Sequence, residues 1–179
     1  MNTIAWIGCL LIAGSSCQSD TPAFAKDPPS LAARNSEQTA LEGKAIRIID
    51  GDTFDLLLDN QSRVRIRLYG TDSPERGQAF YQAAKDYLGA LLQDKRLSVR
   101  FQKKDSYGRS VGVVTAYNIN INERMIRAGM AWHYTRYDQN PAWKALQKAA
   151  AAEKAGLWSD PHPTAPWTWK AALRKQQAD

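Results

Sequence analysis

Hydrophobic and polar residues alternate strictly along Arg63–Tyr69, with Arg63, Arg65 and Arg67 on one side and Val64, Ile66 and Leu68 on the other. A period of two sends successive side chains to opposite faces, so this segment predicts a half-buried strand with a basic face. Ala45–Ile49 and Thr53–Leu58 are β-type runs joined at Asp50-Gly51, a pair that favours tight hairpin turns. Phe80, Ala84, Tyr87/Leu88 and Leu91 then recur at helical spacing and predict a helix over Gly77–Asp94. Two more strands, Leu97–Phe101 and Arg109–Tyr117, are joined through Lys103-Lys104-Asp105-Ser106-Tyr107-Gly108. Asn122 is the expected N-cap of a short helix ending at Gly129. Asn140-Pro141 opens a last helix, with Pro in the first turn and Gly156 closing it.

Flanking these elements, residues 26–43 lack apolar periodicity and read as a linker. The folded domain is expected over 44–160, and 161–179 is expected to form a Pro- and Trp-rich extension that packs back over it. No internal repeat is present. The order βββ-α-ββ-α-α predicts an α+β chain: a small five-stranded β-barrel of the OB type with three helices packed against it.

Composition narrows the chemistry. Among 179 residues, 24 Lys and Arg face 18 Asp and Glu, a net charge of +6 that suits an anionic partner without naming one. Cys9 and Cys17 both lie at the extreme N-terminus, and His133 and His162 stand apart from each other and from any Cys. A Cys/His zinc site and a disulfide framework through the body are therefore excluded. His133 and His162 are expected on the surface.

The first residues read as an export signal. Asn2 to Ser19 carry no charged side chain, and Ile4 to Ala13 is apolar apart from Gly8, too short for a bilayer span of about 20 residues. Ala23-Phe24-Ala25 supplies a small-x-small cleavage site, so 1–25 is expected to be a signal peptide. Lipid attachment at Cys17 is the lesser option, because Gly14 stands where such signals usually carry Leu. Cleavage after Ala25 would remove both Cys and one acid, Asp20, and raise the net charge to 24 − 17 = +7.

Three short motifs carry candidate chemistry, each with a plain structural alternative. Asp50-Gly51-Asp52-Thr53 is either a hairpin turn or a strand end holding carboxylates for a hard cation; Phe54 rules out an EF-hand loop. Arg67 to Glu75 places Arg67, Asp72 and Glu75 around an Asp-Ser-Pro turn, as solvated charges or as a site at a loop mouth. Asp105-Ser106-Tyr107-Gly108-Arg109 is a hairpin connection or the presentation of a planar guanidinium to a phosphate.

Taken together and in this order, the three motifs resemble the staphylococcal nuclease (thermonuclease) family. The resemblance runs from Lys44 to Trp158 and includes Asn122, Gly129-Met130-Ala131 and Gly156-Leu157-Trp158. It implies that Asp52 and Asp72 give carboxylate oxygens to Ca²⁺, that Ser73 adds its backbone carbonyl, and that Asp50 stands behind them. Relatives often carry Thr or Ala where this chain has Ser73, a change of little weight for a main-chain ligand. Glu75 would orient or deprotonate the attacking water, drawn from the ion's own coordination sphere. Arg67 and Arg109 would grip the scissile phosphate, and Tyr107 would lie beside the bound nucleotide. The implied activity is hydrolysis of DNA and RNA phosphodiesters to 3′-phosphate ends, by a secreted or periplasmic monomer.

Elementary physics agrees with that assignment. Hydrolysis adds negative charge to a phosphate that is already anionic, and a divalent cation with two guanidiniums stabilises that charge. Lys103, Lys104, Tyr134 and Tyr137 are the further substrate contacts expected, by charge and by base stacking. Trp132, Trp143, Trp158, Trp167 and Trp169 are read as packing. Two other classes fit parts of the pattern: a non-catalytic OB-type binding module, and a metal-independent ribonuclease using His133 and His162.

Overall fold

The computed structural model describes residues 40–177. The expected export signal and residues 26–39 of the expected linker lie outside them. The strands are β1 (Ala40–Ile48), β2 (Thr53–Leu58), β3 (Arg63–Leu68), β4 (Thr71–Asp72), β5 (Arg96–Lys104), β6 (Ser110–Ala116), β7 (Ile119–Asn120) and β8 (Trp132–His133). The helices are α1 (Tyr81–Leu92), α2 (Ile121–Arg127), α3 (Pro141–Ala152) and α4 (Pro166–Gln176), with a 3₁₀ turn at Gly156–Ser159.

The main sheet has the order β3-β2-β1-β5-β6-β7, and a parallel pairing of β3 with β6 closes five of its strands into a barrel. The OB-type α+β architecture is thus as expected. Its interior is filled by Phe54, Leu56, Ile66, Leu68, Leu97, Val99 and Val114 from the strands. Ala84, Leu88 and Leu92 of α1 and Ile121 and Met125 of α2 cap this core. These are the inward positions of each strand's alternation and the apolar stripe of each helix, so burial of the pattern itself drives closure. Ile66 and Leu68 of β3 are buried while Arg63 and Arg65 remain exposed, as the alternation predicts.

Several boundaries differ from expectation, β5 among them: it runs on to Lys104, because Lys103 and Lys104 pair with Val111 and Ser110 of β6. Strand β1 starts at Ala40, because Ala40–Lys44 pair antiparallel with Arg96–Arg100 of β5. The partner strand, not a local apolar pattern, makes that segment extended. Helix α1 starts at Tyr81 rather than Gly77, since Gly77 and Phe80 both hold positive φ (90° and 65°) and coil the chain before the helix begins. The N-cap of α2 is Asn120, whose side chain accepts from the Glu123 N–H. Asn122 is instead fully buried: its Oδ1 accepts from the Val114 N–H at 2.9 Å and its Nδ2 donates to the Tyr69 carbonyl at 2.8 Å. Finally α3 ends at Ala152, with Lys154 in the left-handed region at φ 53°, before Gly156 is reached.

Asn140 does cap α3 through the Ala142 N–H, with Pro141 in its first turn. Gly129 ends α2 as expected. At φ 64° it lets its own N–H reach the Ile126 carbonyl and the Met130 N–H reach the Met125 carbonyl, which satisfies the free helix end. A Cβ at Gly129 would stand 2.1 Å from the Ala155 carbonyl oxygen, so no other residue fits there.

The described residues form four α-helices, one more than the three expected. The extra one, α4, forms within the Pro- and Trp-rich extension, with Pro166 at its first position. The extension packs back as expected: the Gln78 amide donates to the Thr164 carbonyl at 2.9 Å. Trp132 meets Trp158 edge-on at 4.3 Å and Trp167 at 5.7 Å.

Candidate active site

Residues far apart in sequence meet at one mouth of the barrel, where the β1–β2 hairpin faces β4. Gly51 makes this approach possible, because a Cβ there would lie 2.8 Å from the Ser73 Cβ and 2.7 Å from the Ala84 Cβ. The Asp50 carboxylate accepts from the Asp52 N–H at 3.0 Å, which shapes the hairpin tip and aims Asp52 inward. Across the gap, the Ser73 N–H donates to Asp52 Oδ2 at 2.8 Å and ties the hairpin to the turn after β4.

Asp52, Asp72 and Ser73 are each at most 4% exposed. Arg67 at the end of β3 leaves the basic face of its strand and turns into this cluster, its side chain only 12% exposed. Its Nη2 donates to Asp72 Oδ1 at 2.8 Å and lies 3.0 Å from Asp52 Oδ2, and its Nη1 donates to the Leu68 carbonyl at 3.0 Å. Thr53 Oγ1 donates to Asp52 Oδ1 at 3.0 Å and accepts from Arg109 Nη1 at 3.4 Å. Asp105 holds Arg109 through its Nε at 2.7 Å and through its N–H at 2.9 Å. A continuous polar chain therefore runs Arg109–Thr53–Asp52–Arg67–Asp72.

Carboxylates outnumber guanidiniums once Asp50 and Asp105 are counted with that chain. Burial would raise the Asp52 carboxyl, but the Arg67 charge and the Ser73 N–H outweigh it and hold Asp52 below the ordinary carboxylate range. Burial and the neighbouring Asp52 charge push Asp50 up to about 7. Burial and the same Asp52 charge push Asp72 up to about 6, against the pull of Arg67. Arg67 is shared between Asp52 and Asp72, and the Lys170 ammonium, 3.7 Å from Asp72, is the next cation.

Among the described residues no three His, Cys, Asp or Glu side chains converge into a closed metal cage. The donors here are of another kind: two buried carboxylates, Asp52 and Asp72, beside the Ser73 main chain. All are hard oxygens, too few to fill a Ca²⁺ sphere without water, and unsuited to zinc. The excess negative charge and the oxygen chemistry both fit a hard divalent cation.

Glu75 stands at the rim with its side chain 38% exposed, and Lys170 of α4 lies 2.8 Å from its Oε1. The same ammonium is 3.7 Å from Asp72 Oδ1. Sequence reasoning missed Lys170, which follows the Trp-rich segment by one residue and lies on an element that was not expected to be helical. It also missed Thr53 and Asp105 as the groups linking Arg109 to the rest.

The expected substrate contacts divide. Tyr107 is 83% exposed, with the Arg109 guanidinium 5.5 Å from its ring centre. Lys103 sits 4.5 Å over the Tyr137 ring, which keeps charge and aromatic surface together. Lys104 is exposed and has no contact with the cluster among those described. Tyr134 meets Tyr137 edge-on at 5.0 Å, but one face is covered by Trp167 of α4, stacked at 5.0 Å and 13°.

His133 is not a surface residue. It is 2% exposed, pairs with Thr71 across β4 and β8, and sets its Nε2 2.8 Å from Asp138 Oδ2. Extended pairing buries the ring against Trp143, so it is unavailable as an acid or base toward a substrate, and a two-histidine ribonuclease has no structural support. His162 is exposed, as expected.

Comparison with known proteins gives concordant results. Residues 65–160 match the family described as staphylococcal nuclease homologue. A protein of Escherichia coli O157:H7 described as an uncharacterized endonuclease is 39% identical over 131 residues, 73% of this chain and 85% of the relative. A micrococcal nuclease of Shigella flexneri is 38% identical over 143 residues, 74% of this chain and 82% of the relative. A probable staphylococcal-like nuclease of Oryza sativa subsp. japonica is 38% identical over 116 residues, 65% of this chain and 35% of that longer protein.

Proposed function

The chain belongs to the staphylococcal nuclease homologue family and is a nuclease, and we propose that it is an exported, Ca²⁺-dependent enzyme hydrolysing DNA and RNA to leave 3′-phosphate ends. The observation that carries this reading is the meeting of Asp52 and Asp72 on one nitrogen of Arg67, with Arg109 joined to Asp52 through Thr53. Export rests on the uncharged apolar run before Ala23-Phe24-Ala25. An exported form cleaved there would be a monomer without a membrane anchor; lipidation at Cys17 would tether it.

Asp52, Asp72 and the Ser73 carbonyl would hold the ion, with Asp50 supporting Asp52 from the hairpin tip. When bound, Ca²⁺ supplies positive charge against the phosphate and so stabilises the charge that develops during displacement. Arg67 and Arg109 do the same from the protein side. A guanidinium has five N–H donors, of which the Asp52–Asp72 pair and the Leu68 carbonyl take only part of Arg67. The remainder can meet phosphate oxygens.

Glu75 accepts a proton from the attacking water as its oxygen bonds to phosphorus. The bond from phosphorus to the 5′ oxygen breaks, and that oxygen takes a proton from solvent to leave a 5′-hydroxyl. The phosphate stays on the 3′ side. Tyr107, Tyr134, Tyr137, Lys103 and Lys104 line the approach for bases and backbone.

The test is cleavage of matched DNA and RNA oligonucleotides, with product ends mapped. Ca²⁺-dependent products bearing 3′-phosphate are expected, and Glu75→Gln should slow cleavage by about 10²–10⁴ while binding persists. Robust cleavage in chelator, or 5′-phosphate products, would overturn the assignment.

A further inference from the structure

Among the described contacts, only one group touches the Glu75 carboxylate: the ammonium of Lys170, 2.8 Å from Oε1. A general base on a rim loop needs something to fix it, since a free Glu samples several rotamers and few of them face the phosphorus. The loop that carries Glu75 is tied to α4 a second time. Gln78 Oε1 accepts from the Glu75 N–H at 2.8 Å, and Gln78 Nε2 donates to the Thr164 carbonyl just before the helix at 2.9 Å. One side chain therefore holds both the base's backbone and the lead-in to the helix whose lysine holds its carboxylate. Pro166 then sets the start of α4, and Trp167 docks on Tyr134 one turn before Lys170, which fixes the helix's rotation about its axis.

We propose that Lys170 is a positioning residue for the nuclease reaction, gripping Glu75 through Oε1 so that Oε2 stays aimed at the attacking water. This rests on the proposed role of Glu75. The charges at the site favour a lysine that works with the metal over one that competes with it. Asp52, Asp72 and Glu75 are three acids, with Asp50 behind them, while Arg67 and Lys170 are the two cations in contact with the three. Arg109 is already matched by Asp105. The three acids exceed the two cations by one, and Asp50 adds to the excess when ionised, so a divalent cation can be taken up without expelling the lysine. Its distance from Asp72, 3.7 Å, also leaves that carboxylate engaged mainly with Arg67.

The experiment is a double-mutant cycle in the full chain with Lys170→Met, Lys170→Arg and Glu75→Gln, read by steady-state kinetics on single-stranded DNA with Ca²⁺. Lys170→Met should lower kcat by about 10- to 100-fold with KM nearly unchanged, and Lys170→Arg should restore much of it. In the Glu75→Gln background the same change should cost less than about 2-fold, because the group it positions is gone. Tb³⁺ titration, followed by sensitised emission, should show the ion bound at least as tightly without Lys170, whose ammonium lies 3.7 Å from Asp72, and thermal melts should show both Lys170 variants folded. Full activity in Lys170→Met would overturn the proposal, as would an equal loss in both backgrounds. Tighter Tb³⁺ binding with faster cleavage would also overturn it and make Lys170 an inhibitory competitor. A wild-type chain that fails to cleave with Ca²⁺ would instead remove the function on which the proposal rests.

Discussion

Asp52 and Asp72 meet on a single atom: Nη2 of Arg67 lies 3.0 Å from the Oδ2 of one and 2.8 Å from the Oδ1 of the other. Among the described residues neither carboxylate has another cation this close. Arg67→Met keeps the apolar stem and removes that bridge, leaving two buried acids face to face. In chelator it should lose about 3–5 kcal/mol of stability in urea titrations, and Ca²⁺ should return part of it. Its cleavage rate should fall by about 10²–10³. Unchanged stability in chelator would mean the bridge carries no weight in the fold.

Calcium should also stabilise the wild-type chain. At about 100 times its Kd a bound ion contributes about 2.7 kcal/mol, which for a domain of this size raises Tm by about 8 °C. Asp72→Asn should abolish that increment. Differential scanning calorimetry with Ca²⁺ or EDTA measures both, and an Asp72→Asn protein that keeps the full shift would place the ion elsewhere.

The Asp105 hinge predicts an acid limb. Burial opposes ionisation of this carboxyl, but its bonds from Arg109 and from the Arg109 and Tyr107 backbone hold it below the ordinary range. A group with a depressed folded pKa stabilises above its unfolded pKa of about 4 and loses that contribution as pH falls through the folded value. Asp105→Asn should therefore cost about 1–2 kcal/mol near neutrality and make stability less steep below about pH 4. Chemical denaturation across that range distinguishes this from a uniform loss.

From inside α2, Asn122 clips the middle of β6 to the residue that follows β3. Asn122→Ala strands the buried Val114 N–H and leaves the partly buried Tyr69 carbonyl without its donor, and should destabilise by about 2–4 kcal/mol. Equilibrium unfolding checks this, and a loss below about 0.5 kcal/mol would show the clip to be dispensable.

What could be read locally and what could not follow a physical line. Thr53–Leu58 and Arg63–Leu68 are strands because their own alternation demands a half-buried surface, and Asn140-Pro141 starts a helix because its cap is contained in two residues. The candidate carboxylates and arginines were legible as motifs, and the structure brings Asp50, Asp52, Arg67, Asp72, Ser73 and Arg109 together. Ala40–Gly43 are different: β5 imposes their extended form, and nothing in their side chains announces it. Asn122 had the residue type of a cap but not the position of one, since Asn120 reaches the Glu123 N–H first. His133 looked like a lone polar residue, and only the β4–β8 pairing buries it. Lys170 belongs to the same class, as its partner lies on another element and no spacing along the chain relates the two.

The parallel pairing of β3 with β6 sets Ile66 opposite Ser110 and Arg67 opposite Val111. Arg67 thus stands at the end of one seam strand and Arg109 immediately before the other. Until that seam forms, the two guanidiniums belong to separate parts of a growing sheet, and α1 and β5 must already be in place between them. Intermediates with an open barrel consequently lack the paired arginines however much of their secondary structure is native. If both arginines serve the reaction as proposed, nuclease activity in this chain requires a closed barrel and not merely native strands and helices.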